Sequence, residues 1–448
     1  MNTLSKISKN NYLNLLIYFF PVSCLLSNLF INANIILVCF LGLYHYRKYF
    51  IFSKNLLLLL SFFLFIILTT LINFLLFGKT YGYINHLNIE DVFKSIFFLR
   101  FFLFSIIIYL TVKYEHFNLR FFCLVTLFSL IFLVSDIIFQ FFIGKSFFGY
   151  PSGNIHNSGI FKDEFIAGGY IIKFSLFAII YPSMVFSRDS KKLFVSLIVL
   201  ILFIFLGIVF SGNKIPLLMY VMSLFLLLFF LKSQRKVIFL SIVLCLIIFS
   251  LNYNINNDFK DYYNSFYHKL KFMPVQLTKN ILKDKIEINS EKKEKLKPVT
   301  NIHNHNQLIL TSLRVWKENI LIGNGIKSFR KKCATYTAEN TKEFPTYNCS
   351  THPHNYYFEM LAELGIIGLL IFILTFYLFI LQKFIEIIRN REKNDLSLFN
   401  IIIMIALIME IFPLRSTGSF FSTANAATIF FFLGFLLNQK EDGQNKFN

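Results

Sequence analysis

Two histidines flank a proline in the stretch STHPHNYYFEMLAELGIIG, Ser350 to Gly368, and an asparagine opens the apolar run behind them. A histidine titrates near neutrality and can take a proton from a hydroxyl group. Pro353 disfavours helical backbone at His352, so a helix is expected to begin near Asn355, with Asn355 as its N-cap. The positive end of that helix would lie beside His354, favouring the neutral imidazole and attracting an anion. His354 is therefore the candidate base, and His352 is expected to support the turn. Glu359 and Glu363, one turn apart, are expected to hydrogen-bond inside a bundle. Gly365 and Gly368 are expected to admit another helix at close range.

Four further polar clusters interrupt the apolar sequence. Lys214 ends SGNK, Ser211 to Lys214. Arg314 sits in LRVWKENILIGNGIKSF, Leu313 to Phe329. Arg415 sits in PLRSTGSFFSTANA, Pro413 to Ala426. Asp163 and Glu164 sit in SGIFKDEFIAGGYIIKF, Ser158 to Phe174. Ionisable groups at membrane depth are costly, which makes them functional candidates. Arg314, Lys214 and Arg415 together suit a diphosphate clamp, because guanidinium forks match phosphate oxygens and cations stabilise a departing diphosphate. With His354 as base, the chemistry suggested is glycosyl transfer from a lipid diphosphate to an acceptor hydroxyl. Glu164 is an alternative base, or the group that orients His354. Arg100, inside an apolar run, is expected to pair with a carboxylate, snorkel or touch substrate.

Soluble-enzyme signatures are absent from the sequence: there is no GxxxxGK[ST], no GxGxxG, no CxxC, no HExxH and no DxD. His303, His305, His352 and His354 match no strong zinc spacing. No metal and no cofactor is expected.

The elements that position these residues are membrane helices. Of 448 residues, 56% are hydrophobic, 60 are Phe and only 15% are charged, against about 25% in a soluble protein. Apolar runs near the ~20 residues needed to cross a bilayer recur along the chain. The expected fold is all-α and polytopic, with about twelve spans near 11–30, 31–46, 55–77, 92–112, 120–143, 166–186, 192–210, 215–231, 237–252, 356–382, 397–414 and 424–438. The net charge of +20 reads as loop lysine and arginine rather than as nucleic-acid binding. Lys and Arg gather in alternate short loops, which predicts cytoplasmic termini and places the clusters on the outer face. Three regions follow: residues 1–252 as an N-terminal bundle of nine spans, 253–354 as an outer loop, and 355–448 as three C-terminal spans.

The outer loop is long, and its part from Ile281 to Val299 reads as a polar arm. Leu308 to Thr351 reads as more ordered. Of six cysteines, Cys24, Cys39, Cys123 and Cys245 lie in apolar spans. Cys333 and Cys349 lie in the outer loop, where an oxidising compartment would favour a bridge over two free thiols.

HPHN followed by ELGIIG, preceded by a long loop with an arginine and a GxG…F element, resembles the bacterial O-antigen ligase and O-antigen polymerase superfamily. The resemblance covers roughly Ser158 to Gly434 and is strongest from Leu313 to Gly368. SGIFKDEFIAGGY and STGSFF look more like polymerase-type members. The resemblance implies a metal-independent glycosyltransferase of surface polysaccharide in the inner membrane. It would use an undecaprenyl-diphosphate-linked glycan as donor. Lipid A core or another lipid-linked repeat would be the acceptor. It implies that His354 is the essential histidine and Arg314 the long-loop arginine. Where the family carries a second arginine, this chain has Lys214, a point charge without the bidentate fork. The competing reading is a flippase for lipid-linked oligosaccharides, which predicts repeat symmetry and broken helices at the midplane.

Overall fold

The structure is a computed structural model. It describes residues 11–49, 53–77, 87–114, 117–153, 155–162, 164–187, 190–268, 304–337, 348–390, 395–416 and 418–437. The polar arm and His303 lie outside the described residues. Among the described residues the regular secondary structure is all helical, apart from one isolated bridge between Lys145 and Pro151. The N-terminal part holds α1 (Asn11–Tyr18), α2 (Phe20–Leu26), α3 (Asn28–Tyr46), α4 (Lys54–Phe77), α5 (Ile89–Phe97), α6 (Leu99–Tyr114) and α7 (Leu119–Ile143). It continues with α8 (Ala167–Val185), α9 (Lys191–Phe210), α10 (Lys214–Phe230) and α11 (Arg235–Ile255). The intervening segment carries α12 (257–268), α13 (Asn304–Glu318) and α14 (Phe329–Thr337), and the chain ends with α15 (Tyr356–Asn390), α16 (Asp395–Glu410) and α17 (Thr423–Leu436).

Helix lies at each of the twelve expected positions, and among the described residues eight helices are long and apolar enough to cross a membrane, with α5 and α6 counted as one. Such segments must be helical, because lipid offers no partner to backbone N–H and C=O groups. α10 and α17 are shorter apolar helices. The expected first span, 11–30, is corrected: it breaks into α1 and α2, with α3 starting at Asn28. Pro21 lacks an N–H and opens α2, and Ser27 is fully extended ahead of α3.

α17 is the buried axis. Residues Ala426 to Leu437 are all buried, and Phe431 stacks on Phe20 at 4.2 Å between ring centroids. Gly434 lets α17 lie directly on α6, since a side chain there would strike the Ser105 carbonyl. The long apolar spacing also places short polar devices at helix ends. Asn88 and Asp91 form a capping box on α5, and Asn118 and Ser190 cap α7 and α9.

Candidate functional site

The HPHN turn opens α15 as the proline rule predicts. Asn355 Oδ1 accepts from the N–H groups of Tyr357 (3.0 Å) and Phe358 (3.3 Å) and so caps the helix. His354, just before the cap, is half-buried and has φ +60°. A non-glycine residue in this left-handed region carries strain and persists only where its surroundings hold it. The His352 and His354 rings lie 4.1 Å apart, and His352 Nδ1 is 2.8 Å from the Thr351 hydroxyl.

Three consecutive residues after His354 are fastened to one short segment at the end of α16. The Asn355 amide donates to Pro413 O (2.7 Å). The Tyr356 hydroxyl donates to Glu410 Oε1 (3.3 Å), and the Tyr357 hydroxyl donates to Ile411 O (2.7 Å). Glu410 is itself held by two cations. Arg415 Nη1 is 2.5 Å from its Oε2, and Lys173 Nζ on α8 is 3.6 Å from its Oε1. Lys173 also donates to Asn425 Oδ1 on α17 (2.9 Å). All three charged side chains are at most 10% exposed. Arg415 thus sits in an ion-paired triad rather than at an open face. Burial works to lower the Arg415 pKa, and the Glu410 carboxylate together with Tyr356 raises it above the usual value.

Glu359 and Glu363 follow on the same helix and are fully buried. Glu359 accepts from the Ser419 hydroxyl (2.5 Å) and the Phe420 N–H (2.6 Å). Glu363 accepts from the N–H of Lys327 (2.6 Å) and Phe329 (3.4 Å). Both carboxylates pin loops onto α15, the hydrogen-bonding role expected of them.

α15 is broken at Gly365, which has φ 67° and ψ −169°. The expected helix contact at Gly365 is corrected: the close neighbour is the loop Ile320–Gly325, which fills the break. Asn324 N donates to Ala362 O and Gly325 N to Glu363 O, while Ile366 N and Ile367 N donate to Ile320 O and Leu321 O. The groups freed by the break are satisfied by the chain's own loop. That loop is also tied to α4, where Asn73 Nδ2 donates to Gly323 O and Thr70 Oγ1 accepts from Ile326 N. Gly368 does face a helix, since a side chain there would meet Phe65 of α4.

Arg314 lies on α13, half-buried, next to the fully buried Val315. One turn earlier, Thr311 Oγ1 donates to Asn348 O (2.8 Å) and accepts from Asn348 N (3.1 Å). Cys333 and Cys349 are joined by a disulfide that closes 16 residues and ties α14 to the strand of chain entering HPHN. Leu308, Val315, Phe329, Cys333 and Ala362 form a small core of their own. The Arg314 helix and the His354 turn are therefore carried by one packed unit.

Lys214 lies in the turn from α9 to α10. Its Nζ donates to Tyr262 O on α12 (2.6 Å) and sits 3.2 Å from the Tyr262 ring centroid. The Tyr262 hydroxyl donates to Gly212 O (2.6 Å) and lies 3.4 Å from His156 Nε2. Burial lowers the His156 pKa, and the Lys214 ammonium lowers it further. Glu164 is exposed in the turn ahead of α8. Sequence reasoning missed Lys173, Glu410, Tyr262 and His156. Lys173 and Glu410 had a signal, an ionisable residue within an apolar run. Tyr262 had none, because its role is a contact with a turn 48 residues away. Among the described residues no group of three or more His, Cys, Asp or Glu is placed to hold a metal ion.

No curated protein matches the chain. Residues 197–373 match the family model described as O-antigen ligase. That stretch runs from α9 into the middle of α15 and contains Lys214, Arg314, His354 and Gly365, and over it this all-α polytopic membrane protein is similar to the O-antigen ligase family, which supports the expected resemblance to the O-antigen ligase and polymerase superfamily.

Proposed function

We propose that the protein is a glycosyltransferase that moves an undecaprenyl-diphosphate-linked glycan onto an acceptor hydroxyl at the periplasmic face of the inner membrane. The acceptor is lipid A core or a second lipid-linked repeat, and both termini are cytoplasmic. The acceptor oxygen attacks the anomeric carbon, the bond from that carbon to the diphosphate oxygen breaks, and the acceptor proton passes to His354. The lipid diphosphate leaves with the bonding electron pair, its charge stabilised by Arg314. Lys214 and Arg415 are the further candidate diphosphate ligands; they also bond Tyr262 O and Glu410, which fixes the turns that carry them.

The observation that supports this reading is His354 at positive φ beside the start of α15, with Asn355, Tyr356 and Tyr357 each bonded to 410–413. A strained, over-determined histidine at a helix N-terminus suits a base beside a diphosphate better than a surface loop. The broken α15 is a feature that favours a flippase. Its break is filled by the loop Ile320–Gly325 rather than left to line a path.

His354→Ala is expected to abolish transfer of a lipid-linked glycan while the protein still inserts. The measurement is product formation in detergent solution, where there are no two sides to transport between. Undiminished product from the variant would refute the base, and absence of product from the unaltered protein would turn the reading toward transport.

A further inference from the structure

Lys173, Glu410 and Arg415 lie outside the family-matched residues, yet they sit directly behind the HPHN turn. Two cations share one carboxylate, and all three groups are withdrawn from solvent. Such groups are strongly destabilising when one partner is lost, because a buried charge is left without its mate. A hydrophobic trio would serve packing as well, so a charged trio calls for a use in this fold.

The geometry supplies one. Glu410 Oε2 is taken by Arg415, and its Oε1 faces both Lys173 Nζ and the Tyr356 hydroxyl. Lys173 is the long strut of the arrangement. It stands on α8, reaches Glu410 at the end of α16, and bonds Asn425 at the start of α17. Asn425 in turn donates to Ser419 O, and the Ser419 hydroxyl donates to Glu359, one turn past the Asn355 cap. The segment 410–425 is thus held at both ends, and it holds α15 at Asn355, Tyr356, Tyr357 and Glu359.

We propose that Lys173 is a positioning residue for His354, acting through Glu410 and Tyr356 to hold the left-handed turn in place. The inference rests on the proposed role of His354 as base. Lys173 touches neither the histidine nor substrate; it keeps the Glu410 carboxylate aimed at Tyr356. With Lys173 removed, Glu410 still has Arg415, so the fold survives while Tyr356 loses a fixed acceptor. With Arg in its place, a cation remains within reach of Glu410.

The test compares Lys173→Met, Lys173→Arg and Tyr356→Phe with the unaltered full chain in detergent. The first readout needs no transfer: diethyl pyrocarbonate modification of His354, followed by peptide mass spectrometry. The second is steady-state transfer, resolved into kcat and donor KM. Lys173→Met and Tyr356→Phe are expected to change the His354 labelling rate and to lower kcat by roughly ten- to a hundredfold at unchanged donor KM. Lys173→Arg is expected to restore both. Should Lys173→Met fail to insert, Tyr356→Phe, which removes one hydroxyl, carries the test alone. Unchanged labelling, an unchanged kcat, or an effect on KM only overturns the inference. His354→Ala run alongside separates the two ideas: an active His354→Ala removes the base, whereas an inactive one beside a normal Lys173→Met removes only the strut.

Discussion

His354 combines a reactive side chain with a backbone angle that glycine would tolerate better. The left-handed conformation costs an ordinary residue about 1–2 kcal/mol. Substitution at this position therefore separates chemistry from stability. His354→Gly is expected to be about 1 kcal/mol more stable than His354→Ala, because glycine takes a positive φ without penalty. Denaturant or thermal unfolding of the two variants in the same detergent checks this. Equal stability would mean that the turn relaxes once the imidazole is gone. Either variant should be inactive in transfer.

At the scale of elements, α15 is two helices joined at Gly365 and mortised to the loop Ile320–Gly325. The combination of φ 67° and ψ −169° is open essentially to glycine alone. A β-carbon at this site would also meet the Leu321 carbonyl and the Gly323 nitrogen. Gly365→Ala is expected to destabilise by about 3 kcal/mol and to loosen Glu363, which holds the backbone just after the loop. Gly169→Ala provides the comparison, since a β-carbon there meets nothing within 4 Å. That variant, in helix α8, is expected to be neutral or up to about 1 kcal/mol more stable. Thermal unfolding that leaves Gly365→Ala level with Gly169→Ala would show that the mortise is not required.

For the whole molecule, two packed regions meet at α15. One is the phenylalanine-rich bundle around α17; the other is the small core of Leu308, Val315, Phe329, Cys333 and Ala362. The second is too small to be stable without a staple, and the disulfide Cys333–Cys349 supplies it. Cys349→Ser is expected to destabilise this second unit by about 3 kcal/mol, the chain-entropy value for a loop of this length. Hydrogen exchange should quicken in α13, α14 and the first turns of α15 and stay slow in α17. A uniform change across both regions, or none, would contradict the division.

What was legible in the sequence follows from short-range physics. Apolar runs of bilayer length declare helices, because lipid leaves backbone groups no other partner. Pro353 and Asn355 declared where α15 begins, since both act on their immediate neighbours. The proximity of Cys333 and Cys349 was also readable as an expectation, from loop context. Tertiary structure alone decided the rest. Which cation holds Glu410, that Lys214 is occupied by Tyr262, and that a loop rather than a helix fills the break at Gly365 are all contacts between distant segments. Lys173 was marked locally only as an ionisable residue within an apolar run; its meaning comes from standing within reach of Glu410 across the bundle.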